Sequence, residues 1–331
     1  MVITPLTKLF NINFPVIMAP MFLVSDINMV KAAIKNQIIG TFPTLNYRDT
    51  EKLEEVITEL NRYSSEIENP GVYGVNLITQ KSNPYYKKHL EICIKHKVPF
   101  YITSLGNPKE VIEEAHKYGA KVFCDVTNLT HAEKVYKLGA DGIIAVGLGA
   151  GGHAGPDPLQ ILIPALKNKF KDLPIIAAGG ISTGVGLHSV LVLGAAGASL
   201  GTVFIASEEC PVSVEYKNAV VKATSEDIVM TERLSGTPSS IINTEYAKKI
   251  GYKQSWFERK LSNNSRTKKY FKMLVQLKGM KKLEKSVKPG NYKNLWIAGK
   301  SVEFINEILP IEKIIEKLKN ELNESLNQNI K

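Results

Sequence analysis

The chain has 331 residues, 44% of them hydrophobic, and a formal net charge of +10. That length supports one large barrel domain or two smaller domains with sizeable cores, and no apolar run approaches the roughly 18 residues that cross a bilayer. Cys93, Cys124 and Cys210 are scattered without ligand spacing, which argues against a disulfide framework or a metal site, and the opening MVITPLTKLFNINFP lacks a signal-peptide core, so the expected location is cytoplasmic.

From the N-terminus to about residue 205, short apolar runs alternate with helical stretches of about a dozen residues, the rhythm of repeated βα units. Eight runs read as strands: 14–20 (FPVIMAP), 38–43 (IIGTFP), 72–78 (VYGVNLI), 99–103 (PFYIT), 121–126 (KVFCDV), 141–147 (DGIIAVG), 174–180 (PIIAAGG) and 198–202 (ASLGT). They are rich in Val, Ile and Ala without strict alternation, as parallel strands covered on both faces require. Helical patterns lie between them, at 107–120 and 131–140 among others, with Gly119 and Gly139 suited to left-handed C-terminal caps. The pattern predicts an α/β fold, a (β/α)8 barrel whose chemistry sits on the loops after the strands. An open doubly wound sheet fits less well, since its phosphate loop would follow the first strand, where MFLVSD stands instead.

Past residue 210 the rhythm stops. Residues 212–225 read as helix and 226–243 as irregular. A basic segment, Lys253 to Lys293, carries thirteen Lys or Arg against Glu258 and Glu284, leaving the rest of the chain near neutral. Such a segment suits either a solvated lysine-rich helical face or an acidic partner, and no nucleic-acid motif accompanies it. The closing LWIAGKSVEFINEILPIEKIIEKLKNEL reads as a short apolar piece and a helix. The expected organisation is a barrel over 1–225, a helical substrate lid over 226–290 covering the barrel mouth, and a segment over 291–331 returning to the barrel.

Two features carry chemistry. AAGGISTG ends the seventh predicted strand and GASLGT the eighth, the loops where barrels commonly build phosphate sites. Gly179, Gly180, Gly201 and Thr202 would supply amides and a hydroxyl. One Gly-Gly alone serves a tight turn; two such loops on adjacent strands point to phosphate. The other feature is VGLGAGGHAGP after the sixth strand, where glycines surround His153 on the catalytic side of the barrel. An imidazole there can exchange a proton near neutrality. The remaining histidines, His89, His96, His116, His131 and His188, fall on or beside predicted helices and read as surface or capping residues.

The ordered set PVIMAPM (15–21), GVNL (74–77), AGGHAG (150–155), AAGGI (177–181), LGTVFIASEE (200–209), TERLSGTPSSIIN (231–243) and WIAGKSVEFINEILP (296–310) resembles the nitronate monooxygenase family, formerly called nitropropane dioxygenases. The resemblance implies an FMN-dependent barrel with a helical domain over the flavin. It places Pro20 and Met21 along the flavin, Asn76 on the ring or ribityl chain, Ala150, Gly151 and Gly152 near the ring, and Gly179, Gly180, Gly201 and Thr202 on the phosphate. His153 becomes the catalytic base or substrate-orienting donor. Asp125, ending the fifth strand where some members carry a basic or neutral contact, would accept a hydrogen bond from the ring or ribityl chain. Many members read Glu-Ala-Gly-Gly-His where this chain has Gly149 in place of the glutamate.

The activity so implied is oxidation of alkyl nitronates with dioxygen. Flavin-type enoyl-acyl-carrier-protein reductases and quinone reductases share the same look and would use NAD(P)H as co-substrate. The expected partners are a small molecule (nitronate, quinone or enoyl thioester), an acidic carrier protein in the reductase reading, and a second copy of the chain in a homodimer; neither nucleic acid nor membrane is expected. A non-catalytic basic binding protein on a barrel scaffold is the remaining alternative.

Overall fold

Stretches rich in β-branched residues and covered on both sides close into a parallel barrel in the computed structural model, which describes residues 2–80, 82–234, 238–253 and 294–328. The barrel strands are β1 (Val16–Met18), β2 (Ile39–Pro43), β3 (Val72–Ile78), β4 (Phe100–Ser104), β5 (Lys121–Val126), β6 (Gly142–Val146), β8 (Ile175–Ala178) and β9 (Gly197–Leu200), and β9 pairs back onto β1. All eight coincide with the predicted runs. The two-residue strand β7 (Gly152–His153) lies outside the barrel.

Alternation along each strand sorts side chains between two cores. Ile17, Ile39, Phe100, Ile102, Phe123, Ile144 and Ile176 point inward and form one cluster, while Val16, Val75, Tyr101 and Val122 face the surrounding helices in the other. Phe100 and Phe123 meet edge to face inside the barrel, with ring centroids 5.1 Å apart. Their room comes from glycines on neighbouring strands: a Cβ on Gly74 would lie 2.6 Å from Phe100, and one on Gly142 would lie 2.5 Å from Phe123. Helix α1 (Pro5–Phe10) plugs the N-terminal end, bringing Phe10 to 4.9 Å from Phe100.

The helices between strands are α2 (Ile27–Lys35), α3 (Thr50–Glu66), α4 (Tyr86–Lys95), α5 (Lys109–His116), α6 (Leu129–Lys137), α7 (Leu159–Lys169) and α8 (Gly184–Val192). Side-chain oxygens of Asp26, Asp49, Asn128 and Thr183 cap α2, α3, α6 and α8, satisfying amides that the helices themselves cannot. Gly119 and Gly139 take φ of +85° and +89°, as their predicted capping role requires. After β9 come α9 (Thr202–Ile205) and α10 (Val214–Lys222), in agreement with the helical reading of 212–225. The long helix α12 (Ile311–Asn327) returns to the barrel and packs on α8, where Glu321 Oε2 accepts the Gly184 N–H at 2.7 Å.

The stretch 226–243 departs from expectation. Instead of irregular chain it contains two antiparallel strands, β10 (Ile228–Thr231) and β11 (Ser239–Ile242), followed by the short helix α11 (Glu245–Ile250). β11 also pairs with β7, giving a small sheet in the order β10-β11-β7. Ser239 and Ser240 hide the strand signal in the sequence, because pairing to both sides defines β11 more than its own composition does. The rest of the expected lid, together with nearly all of the basic segment, lies at 254–293, outside the described residues. No helix among the described residues is long and apolar enough to cross a membrane.

The floor packing is open to test. Gly142→Ala drives a methyl group into the Phe123 ring, and overpacking of this kind costs about 1–3 kcal/mol. Urea denaturation will show a lower midpoint with an unchanged slope, and adding Phe123→Leu will restore part of the loss.

Candidate active site

The C-terminal ends of the barrel strands carry a polar arc on one side. Because Gly74, Phe100, Ile102 and Phe123 point inward, the residues two further along, Asn76, Ser104 and Asp125, point inward at the mouth. They are joined. Asn76 Nδ2 donates to Ser104 Oγ at 2.7 Å and to the Ile102 carbonyl at 3.2 Å, and Ser104 Oγ donates to Asp125 Oδ2 at 2.5 Å. Burial raises the Asp125 carboxyl to about 6, and the Ser104 hydrogen bond offsets part of that rise. With its amide donors committed, Asn76 keeps its carbonyl oxygen as an acceptor.

The opposite side is built from glycine loops in very close contact. A Cβ on Gly179 would lie 2.6 Å from Ala150 N, one on Gly149 would lie 3.0 Å from Gly180 N, and one on Gly151 would lie 2.8 Å from Gly299 N. Gly179 also adopts φ of +117°, which a side chain would strain. The loop after β6, the loop after β8 and the C-terminal tail at Gly299 are therefore nested backbone against backbone. Gly201 and Thr202 close the arc: Met21 Sδ would lie 3.5 Å from a Cβ on Gly201, and Thr202 Oγ1 accepts the Gly299 N–H at 3.0 Å. The arc thus unites Met21, Ala150, Gly151, Gly179, Gly180, Gly201 and Thr202. Pro20 precedes Met21 in the same half-buried loop.

His153 sits on β7 beside this junction. Its backbone pairs with Ser239 and that of Gly152 with Ser240, so the small sheet fixes where the imidazole starts. Part of the ring is exposed at the mouth, yet the protein around it disfavours the charged form and lowers its pKa below the ordinary 6.5. A neutral imidazole at neutral pH can accept a proton or donate its single N–H. The sheet in turn rests on the tail: Ile242 N donates to the Trp296 carbonyl at 2.8 Å, Tyr216 OH donates to the Ile297 carbonyl at 2.5 Å, and Tyr216 and Trp296 stack at 5.4 Å.

Sequence reasoning passed over three participants. Ser104 ends a strand in an unremarkable FYITS run. Gly299 lies in WIAGKS, which carries the family resemblance but had no assigned role. Ser239 anchors His153 through backbone pairing, which leaves no side-chain signal. Among the other histidines, His89 is fully buried, and burial pushes its pKa down to about 4, so the surface reading fails there. His96 and His116 pair with Glu54 and Asp141 at the surface as expected. No cluster among the described residues could hold a metal ion.

A sequence profile described as nitronate monooxygenase matches residues 3–321. The chain is similar to a (3aS,4S,5R,7aS)-5-hydroxy-7a-methyl-1-oxo-octahydro-1H-indene-4-carboxyl-CoA dehydrogenase of Mycobacterium tuberculosis, 29% identical over 249 residues, covering 75% of this chain and 68% of that protein. It is also similar to a probable nitronate monooxygenase of Staphylococcus saprophyticus, 27% identical over 292 residues, covering 75% of this chain and 80% of that one. Among solved structures, FabK from Thermotoga maritima superposes with a TM-score of 0.83 at 28% identity, covering 98% of each chain.

The environment of the imidazole predicts its titration. In a proton NMR titration, His153, assigned by comparison with His153→Asn, will show a midpoint below 6.5. A midpoint at or above that value would mean that a negative charge, and not burial, governs the ring.

Proposed function

The chain belongs to the nitronate monooxygenase family of flavin-dependent oxidoreductases, and from that premise we propose that it binds FMN at the barrel mouth and oxidises alkyl nitronates with dioxygen to carbonyl products. The observation that carries this reading is the nesting of two phosphate-type loops against the His153 loop on the C-terminal face of a parallel barrel.

The donor set fits FMN. The amides of Gly179, Gly180, Gly201 and Thr202 suit the phosphate. The Thr202 hydroxyl oxygen already accepts from Gly299, so its own hydrogen is left to donate. Ala150, Gly151 and Gly152 offer a surface with little side-chain bulk for a flat ring, and Pro20 and Met21 line the approach from β1. The Asn76 carbonyl oxygen and the Asp125 carboxyl supply acceptors for ring or ribityl donors on the polar side. When bound, FMN takes electrons from the substrate and passes them to dioxygen.

His153 does the work on the substrate side. A preformed nitronate needs no base, so against it the imidazole N–H orients the nitro oxygens. Against a neutral nitroalkane, the unprotonated nitrogen can take the proton from the carbon that bears the nitro group. The base role needs the neutral ring that its surroundings favour, whereas an N–H donor is present in either protonation state.

The likeness to FabK over 98% of both chains, and to a dehydrogenase named for a carboxyl-CoA compound, favours a second reading. This is an NAD(P)H-dependent flavin reductase acting on an enoyl thioester or a quinone. An acidic carrier protein would then be drawn to the basic stretch 253–293. A cytoplasmic homodimer is compatible with either reading.

Two measurements decide. Mixed anaerobically with an alkyl nitronate, the purified yellow protein will lose its flavin absorbance; bleaching by NAD(P)H alone transfers the assignment to the reductase. His153→Asn will lower turnover by about 10²–10⁴-fold while flavin content stays at the wild-type level. If FMN is lost and the remaining activity tracks the remaining flavin, His153 is structural.

A further inference from the structure

On the FMN reading, we propose that Asp125 is a proton-holding group facing the flavin ring, aimed by the Asn76–Ser104 chain so that reduction of the flavin draws a solvent proton onto its carboxylate. In this step the electron pair stays on the ring, the proton comes from water and binds the free carboxyl oxygen, and no covalent bond to carbon changes.

The geometry for this role is specific. Asp125 is the penultimate residue of β5, with its side chain on the inward face, two residues above Phe123, whose ring fills the barrel. Ser104 donates to Oδ2, and Ser104 is itself oriented by Asn76, which is tied to the Ile102 carbonyl. Each member of the chain has its donors assigned, and no hydrogen bond from a described residue reaches Oδ1. The carboxyl is thus held at one oxygen and open at the other.

The charge surroundings favour proton uptake. From β4 the carboxyl meets Ser104, beyond which lies Asn76 of β3; on β6 its register partner is the apolar Ile144. Cys124, the titratable neighbour on its own strand, is turned outward and accepts from the Thr103 hydroxyl at 3.1 Å. The loop after β6 carries two titratable groups, His153 and Asp157. Among the described residues, no Lys or Arg acts on the Asp125 carboxyl, which burial already holds at about 6. Electrons added to a ring beside a weakly solvated carboxylate raise its proton affinity further, since the opposing charge grows and no Lys or Arg among the described residues compensates it. At neutral pH the carboxylate of the oxidised protein would therefore protonate on reduction.

The test is the pH dependence of the flavin midpoint potential in the FMN-loaded protein, measured for wild type, Asp125→Asn and Ser104→Ala. Between the carboxyl's titration in the oxidised and in the reduced protein, the wild type will take up one more proton per electron pair than Asp125→Asn, whose slope falls to about half. Ser104→Ala will keep the wild-type slope but move the break to higher pH, because the lost O–H no longer favours the carboxylate. A protonated-carboxyl infrared band that appears on reduction of the wild type will be missing in Asp125→Asn. Equal slopes in wild type and Asp125→Asn overturn the proposal. If Asp125→Asn fails to retain FMN, an unmoved break in Ser104→Ala overturns it instead. A wild-type chain that binds no FMN removes the functional reading as well; one that binds FMN, is bleached by nitronate and shows no extra proton removes this inference alone.

Discussion

The site depends on backbone meeting backbone where three loops converge. At Gly149, Gly151 and Gly179, the next loop stands within 3.0 Å of where a Cβ would be, so the loop after β6, the loop after β8 and the tail at Gly299 interlock only because all three lack side chains there. The contact has long-range consequences. It ties residues far apart in sequence, from Met21 on the first loop to Gly299 in the tail, into one wall of the mouth. It also fixes the base of β7, and with it the position from which the His153 ring projects. The tail is held in turn by Thr202, by Tyr216 and by the Ser182 hydroxyl, which donates to the Ser301 carbonyl at 2.8 Å. The small sheet and the tail brace the imidazole as much as the barrel does.

Strand parity divides the opposite wall. The same alternation that sends Ile39, Phe100, Ile102 and Phe123 into the apolar plug sends Thr41, Asn76, Ser104 and Asp125 inward near the mouth on β2 to β5, whereas β6 and β8 end inward with Val146 and Ala178. The polar residues are tied to neighbours: Thr41 Oγ1 donates to the Met18 carbonyl at 2.6 Å, and hydrogen bonds link Asn76 Nδ2 to Ser104 Oγ and Ser104 Oγ to Asp125 Oδ2. A flat ligand with hydrogen-bonding groups on one edge and a hydrocarbon edge on the other matches such a mouth. The Phe100–Phe123 floor below keeps water out of the barrel and lowers the local dielectric under the carboxyl, so the packing that stabilises the fold also sets the titration of Asp125.

The barrel was legible because each of its strands is marked by its own composition. Runs such as KVFCDV and DGIIAVG carry the signal locally, whereas β9, which reads GASL, is marked by small apolar residues and its place in the βα rhythm. The glycine loops after β6 and β8 were legible for the same reason: glycine clusters at strand ends are local features. What could not be read depends on partners. β11 is serine-rich and becomes a strand by pairing with β7 on one side and β10 on the other. Ser104 becomes part of the site only through the register of β3, β4 and β5. Gly299 matters for the loop it touches, 150 residues away. Pairing and register are properties of two segments at once, and periodicity within one segment does not encode them.

Gly149 shows how the structure alters the meaning of a sequence difference. Read along the chain, it is a glutamate position that has lost its side chain, which would leave a gap near the substrate and a missing charge. In the folded chain there is no gap. The Gly180 backbone occupies the space into which a Cβ would extend, and the Gly149 carbonyl oxygen lies 2.8 Å from where a Cβ on Gly299 would sit. A side chain here would require the Gly179–Gly180 backbone to give by a few tenths of an ångström. The Asp125 carboxyl lies on the polar side of the mouth and the His153 imidazole beside the glycine junction. Burial pushes both away from their charged forms, the one towards holding a proton and the other towards giving one up.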